Sequence, residues 1–135
     1  MEKGVRSINI YINVKTNLEG EVFMEKRFCE VKIFQVKPDK LEEFEKLIAV
    51  VAKEQKQQKG CIDIKYLKRF FVFDDINEKP RELTRIVKCV KYFSYWDFDS
   101  LENYSNATHW LFEKYSKEIF KLLIMPFDIN CGYSI

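Results

Sequence analysis

Residues 29–61 read CEVKIFQVKPDKLEEFEKLIAVVAKEQKQQKGC, and the local periodicity changes twice within them. From Cys29 to Val36 an extended chain carries Cys29, Val31 and Ile33 on one side. Phe34 and Val36 lie on the other, joined by Phe28 just upstream. A strand that is apolar on both sides is covered on both. Pro38 suits the first turn of a helix, and Asp39, Glu42 and Glu43 place negative charge at its positive end. Leu41, Phe44, Leu47, Ile48 and Val51 then recur at helical spacing, while Glu42, Glu45 and Lys46 take the wet side. Gly60 is placed to close the helix in a left-handed conformation, and strand-like sequence restarts at Cys61. The stretch is a β-α-β beginning.

Working downstream, Cys61 to Phe73 reads as strand and Asp74 to Glu82 as loop. Arg85 to Trp96 returns as a strand, with Ile86, Val90, Tyr92 and Trp96 on one side and Val87, Cys89, Phe93 and Tyr95 on the other. These two strands are expected to form an antiparallel pair. Asp99-Ser100 begins a short helical turn, and a longer helix is expected from about Thr108 to Leu123, with Phe112, Tyr115, Ile119 and Leu122 inward. Pro126 ends it, and Phe127 to Ile135 alternate as a final strand. The order β-α-β-β-α-β is ferredoxin-like: an α+β domain over residues 28–135 with an antiparallel sheet. Upstream, Ile8, Ile10, Ile12 and Val14 alternate with Asn9, Tyr11 and Asn13, and Asn17 to Gly20 supplies turn chemistry before Val22. Residues 1–27 therefore read as a strand or hairpin extension. A single sheet with helices on one face leaves an apolar face uncovered, so a two-fold homodimer with sheets packed face to face is expected.

Composition narrows the function classes. A chain of 135 residues is one domain by length, and 47% apolar with 33% charged residues is a globular profile. The net charge of +2 comes from interspersed Lys, Arg, Asp and Glu with no clustered basic stripe, so no nucleic-acid partner is expected. Four cysteines at wide spacing, without a C-x-x-C pair, read as reduced thiols of a cytoplasmic protein, with no disulfide framework and no zinc site. No apolar run reaches membrane-spanning length, and the alternation of INIYINV is unlike a signal peptide. Aromatic residues reach 16%, enough to fill a core, an interface or a flat ligand pocket.

The 29–61 stretch, the strand ending KYFSYW at Trp96 and the segment DFDSLENYSNATHWLFEKY from Asp97 together resemble the antibiotic biosynthesis monooxygenase family of dimeric α+β barrels. The likeness runs over about residues 28–135. It implies a cofactor-independent monooxygenase, needing neither metal nor flavin. A small aromatic or quinol-like substrate would sit in a pocket between the sheet and the second helix, be deprotonated there, and react with dioxygen. Carried onto this sequence, His109, the one histidine, is the candidate proton acceptor. Trp96 and Tyr104 would frame a planar ring, with Phe112 beside them, and Tyr92 or Tyr95 would hydrogen-bond a phenolate. His109 also fits a partly buried helix residue beside Trp110, and Trp96 fits core packing. Haem-degrading relatives would need a histidine and an asparagine where residues near Glu113 and Lys32 stand, which counts against that activity. A non-catalytic dimer that binds a small aromatic ligand is the alternative from another class.

Overall fold

The computed structural model describes residues 14–16, 22–24, 26–86 and 88–135. Val14–Thr16 (β1) and Val22–Met24 (β2) pair antiparallel as a small ribbon ahead of the domain. The strand reading of Ile8 to Asn13 and the turn chemistry of Asn17 to Gly20 fall outside the described residues. The domain then runs through Phe28–Val36 (β3), a 3-10 turn at Pro38–Lys40, Leu41–Lys56 (α1), Cys61–Lys68 (β4), Phe71–Val72 (β5), Arg81–Glu82 (β6), Val90–Phe98 (β7), Leu101–Phe120 (α2) and Asp128–Tyr133 (β8). The main sheet has the order β4-β7-β3-β8 with antiparallel neighbours throughout. This is the α+β, ferredoxin-like architecture, preceded by an N-terminal extension.

Most of the reading of residues 29–61 holds, but α1 ends at Lys56 with Gln57 as a right-handed cap, so Gly60 turns the chain into β4 instead of closing the helix. Pro38 opens the 3-10 turn, Leu41 begins α1, and Phe44, Ile48 and Val51 are buried along its inner side. Gly60 adopts φ 82°, the left-handed region, and a Cβ added there would come within 2.7 Å of Asn103 Cβ. The Gly60 carbonyl accepts the Asp99 N–H at 3.0 Å, so this turn is pinned to the start of the second helix.

Three further boundaries differ from the sequence reading. α2 is one helix of 20 residues from Leu101, not a turn followed by a helix from Thr108, because Ser100 Oγ caps it by accepting the Asn103 N–H at 3.2 Å. Its buried side is Tyr104, Ala107, Leu111, Tyr115 and Ile119, so Phe112 sits one position off the inner face and is half-buried. The strand expected from Arg85 starts only at Val90. The strand expected from Cys61 to Phe73 breaks after Lys68, and Phe71–Val72 turns away to pair with Arg81–Glu82. Charge explains this small ribbon: the Arg81 guanidinium binds Asp74 through two contacts of 2.8 and 3.1 Å and closes the intervening turn.

Candidate functional site

Register places the interior. On β3 every even residue from Phe28 to Val36 is buried, and on β7 the same holds from Val90 to Phe98. Because Glu30 pairs with Trp96 and Lys32 with Ser94, the side facing the helices consists of cross-strand rows. One row is Tyr66, Ser94, Lys32 and Ile129; the next is Ile64, Trp96, Glu30 and Cys131. Two ionisable groups thus occupy the middle of an otherwise aromatic layer, with Glu30 and Lys32 each only 1% exposed.

Their surroundings account for their survival there. The Lys32 ammonium lies 3.3 Å from Glu30 Oε1, over the rings of Trp96 at 5.5 Å and Phe127 at 5.2 Å. The Tyr104 hydroxyl donates to Glu30 Oε2. Burial pulls the Lys32 pKa below its ordinary value, against the opposing pull of Glu30. Burial first, and then the charge of Glu30, push the Tyr104 phenol above its ordinary value. Nearby polar atoms lack full partners: Ser94 Oγ, Gln55 Nε2 and Trp96 Nε1 are buried without a hydrogen-bond acceptor or donor of good geometry. Trp96 Nε1 has the soft sulfur of Cys61 beside it. Gln55 Oε1 accepts the Tyr66 hydroxyl, so only its amide nitrogen is unused.

An open groove adjoins this cluster. Phe44, Ile48, Ala49 and Ala52 of α1, with Tyr66, Lys68 and Tyr92 of the sheet, line a space of about 360 Å³. At its mouth the Tyr92 hydroxyl donates to Glu45 Oε2, and Lys68 Nζ lies 3.0 Å from the same carboxylate. The Tyr92 hydroxyl, ahead of Lys68, holds the Glu45 carboxyl below its ordinary range. The Tyr92 phenol itself is pushed up, first by burial.

The residues singled out from the sequence divide accordingly. Trp96 and Tyr104 meet beside Glu30 with ring centroids 6.3 Å apart, and Tyr92 lines the groove. Tyr95 stands on the opposite face of the sheet, 36% exposed. Phe112 packs on Phe127 at 5.5 Å, away from the groove. His109 points outward on α2: its side chain is 76% exposed, with Nε2 3.6 Å from Glu113 Oε2. The structure therefore does not bring His109 together with Trp96, Tyr92 or Tyr104, and the groove lies against the first helix, not the second. The sequence reading gave no site role to Glu30, Lys32, Gln55 or Ser94. The legible signal was a charge pair two apart in a doubly apolar strand, on the side shared with Phe28 and Phe34. Among the described residues, no group of three or more His, Cys, Asp or Glu is gathered to hold a metal ion, and no helix is long and apolar enough to cross a membrane.

No protein-family model and no curated protein matches the sequence. Solved structures do match the fold. A protein from Nitrosomonas europaea, provisionally assigned as an antibiotic biosynthesis monooxygenase, superposes with TM-score 0.62 over 84% of this chain and 94% of that one, at 10% identity. SnoaB from Streptomyces nogalater, a cofactor-independent oxygenase, gives 0.56 over 80% and 92%, at 14% identity. The fold of this chain is theirs. A dimeric ferredoxin-like protein from an uncultured marine organism shares it too, with TM-score 0.58 over 82% and 97% at 12% identity. At such identities the likeness is one of fold, and the chemistry has to be argued from the residues above.

Proposed function

We propose that the protein is a homodimeric, cofactor-independent monooxygenase of small aromatic, quinol-like substrates, with Glu30 as proton acceptor in place of His109. The observation that carries this reading is the buried triad of Glu30, Lys32 and Tyr104 beside Trp96 on the helix side of the sheet. A carboxylate held inside an aromatic layer is positioned to take a proton from an acidic C–H or O–H, and the adjacent ammonium stabilises the oxyanion that results. The electron-rich anion then supplies electrons to dioxygen. A C–O bond forms to give a hydroperoxide, the O–O bond breaks, one oxygen stays as a carbonyl, and the other leaves as water with the second hydrogen. In sum, CH2 and O2 give C=O and H2O. The interior aromatic rings and the low exposure of the cluster exclude bulk water from this anion. The shared fold with a cofactor-independent oxygenase supports the same reaction class.

The dimer rests on the other face of the sheet. Val31, Ile33, Phe93, Tyr95 and Leu67 stand there, and among the described elements neither helix packs on them. A second copy covers such a face isologously. The dimeric neighbour of the same fold supports this arrangement. A monomer at micromolar concentration in sedimentation would remove it.

The test of activity is oxygen uptake with a panel of hydroquinones and anthrones. Wild type is expected to turn over at least one, Glu30→Gln to lose on the order of a hundredfold or more, and His109→Ala to retain the rate. A second reading, a non-catalytic dimer that binds an aromatic ligand, is favoured by one observation: both Glu30 oxygens are already engaged, by Tyr104 and Lys32. Ligands that raise Tm without any oxygen uptake establish that reading and overturn the oxygenase. Haem degradation gains no support, because the one histidine, His109, faces solvent.

A further inference from the structure

β4 ends the main sheet, so one of its edges has no neighbouring strand among the described residues. Just past Lys68 the Arg69 N–H donates to the Lys91 carbonyl at 2.8 Å, which sets the phase of the β4–β7 ladder. In an antiparallel pair such bonds fall on alternate residues, so Lys65 and Leu67 also turn their backbone groups to β7. Ile64, Tyr66 and Lys68 turn theirs outward, where they meet no backbone partner among the described residues. The side chains of these three stand on the helix side, because they pair with Trp96, Ser94 and Tyr92 of the buried rows. α1 packs there without closing onto the edge. Two spaces, of about 360 and 520 Å³, lie between helix and strand and share Ala52 as a wall, which makes them one groove along β4. Ile48, Ala49 and Tyr66 line one end, and Lys53, Lys56 and Ile64 line the other. Lys56 is held by Asp63 and Lys68 by Glu45, whereas Lys53 has no ion pair among the described residues.

We propose that this groove binds an extended peptide segment of a partner protein. The segment adds to the free edge of β4 as a fifth strand, sets alternate apolar side chains against Ala49, Ala52 and Tyr66, and carries an acidic residue at the Lys53 end. A strand is the fitting occupant because the edge offers a row of unpaired N–H and C=O groups, and main-chain pairing satisfies both kinds at once. The groove beside it then selects side chains at every second position. A second copy fits poorly: its own β4 carries Lys65 and Lys68 against Asp63, and two such edges side by side repel. Residues 1–13, with Lys3 and Arg6 against Glu2, also have the wrong sign for Lys53. The groove is separate from the triad of Glu30, Lys32 and Tyr104 and lies on the sheet face away from the proposed dimer, so the inference stands apart from the proposed function.

The test is fluorescence anisotropy of the full chain with a fluorescein-labelled hexapeptide amide, Ser-Val-Thr-Val-Thr-Glu, whose Val, Val and Glu side chains share one face. Laid antiparallel to β4, it puts both Val residues in the groove and the Glu beside Lys53. Its Val nitrogens then face β4 and its Thr nitrogens face away. N-methylation of the two Val nitrogens should weaken binding by roughly tenfold or more, the scale of two lost hydrogen bonds, and N-methylation of the two Thr nitrogens should leave it unchanged. Ala52→Leu, which fills the groove, should weaken the parent peptide by a similar factor. Lys53→Glu should weaken it by roughly threefold to tenfold, with recovery when the peptide's Glu is replaced by Lys. The N-methyl comparison uses the unaltered chain, so it decides the matter even if circular dichroism shows that Ala52→Leu disturbs α1. No binding at about 1 mM peptide, or equal affinity of the two N-methylated peptides, overturns the proposal. So does sedimentation in which the chain alone forms species larger than a dimer that Ala52→Leu removes, since the edge then belongs to a second copy.

Discussion

At the centre of β3 the ordinary rule of burial is inverted, although Phe28, Phe34 and Val36 keep the rest of its inner side apolar. Its inner side carries Glu30 and Lys32 under the helices, whereas its outer side carries Cys29, Val31 and Ile33, half-buried with neither described helix over them. A domain that needed only stability would place these residues the other way round, since a buried ion pair offers little net stabilisation over apolar groups of the same volume. On the proposed reading the inner side serves chemistry and the outer side contact with a second copy. The lesson is that a strand apolar on alternate positions announces an interface as readily as a core.

The largest test of that contrast is Lys32→Met, which leaves a buried carboxylate without its cation. Thermal or denaturant unfolding should show a loss of about 3–5 kcal/mol, largely recovered in the double variant Glu30→Gln/Lys32→Met. A single variant as stable as wild type would break the contrast from the inside. From the outside, Val31→Asp puts like charges opposite one another in a face-to-face dimer. The expected outcome is dissociation in sedimentation, by an amount worth several kcal/mol, with the monomer's circular dichroism retained. A dimer unaffected by Val31→Asp would place the interface elsewhere.

Smaller effects sharpen the picture. Gly60→Ala should cost about 1–2 kcal/mol from the left-handed backbone alone, and more from contact with Asn103, as denaturant unfolding would show. Alkaline titration followed by tyrosinate absorbance should show Tyr66, Tyr92 and Tyr104 resisting ionisation. Each is raised in the folded state, so its stabilisation is full below the ordinary tyrosine range near pH 10 and is lost as pH climbs through the higher folded value. Tyrosines that titrate together at the ordinary pH would show the inner side to be wet. Smallest of all, His109→Ala should change stability by no more than about 0.5 kcal/mol, as an exposed substitution does.

Much of the fold was legible because each element carried its own local cause: Pro38 before an amphipathic run, Gly60 at a left-handed turn, alternation through β3 and β7. The start of α2 was misplaced because the cap at Ser100 joins two apparent helical pieces into one, a hydrogen bond that hydrophobic spacing does not record. The site was less legible for a physical reason. Sequence patterning assigns charged residues to water, so Glu30 and Lys32 read as the polar remainder of a strand, and their burial follows only from cross-strand neighbours far along the chain. His109 drew attention through its chemistry alone, but the helical phase that buries Tyr104, Ala107 and Leu111 turns it outward.

The position of β3 in the sheet also bears on how the chain is made. Its ladder partners, β7 and β8, both come after α1 and β4 in the chain, and Val36 also bridges to Leu123. During synthesis Glu30 and Lys32 must therefore remain in water until residues far downstream have emerged, and the pair is sealed in only by that late closure. An ionic pair at this place keeps the nascent strand soluble while it waits, where two more apolar side chains would leave a sticky edge exposed to other growing chains.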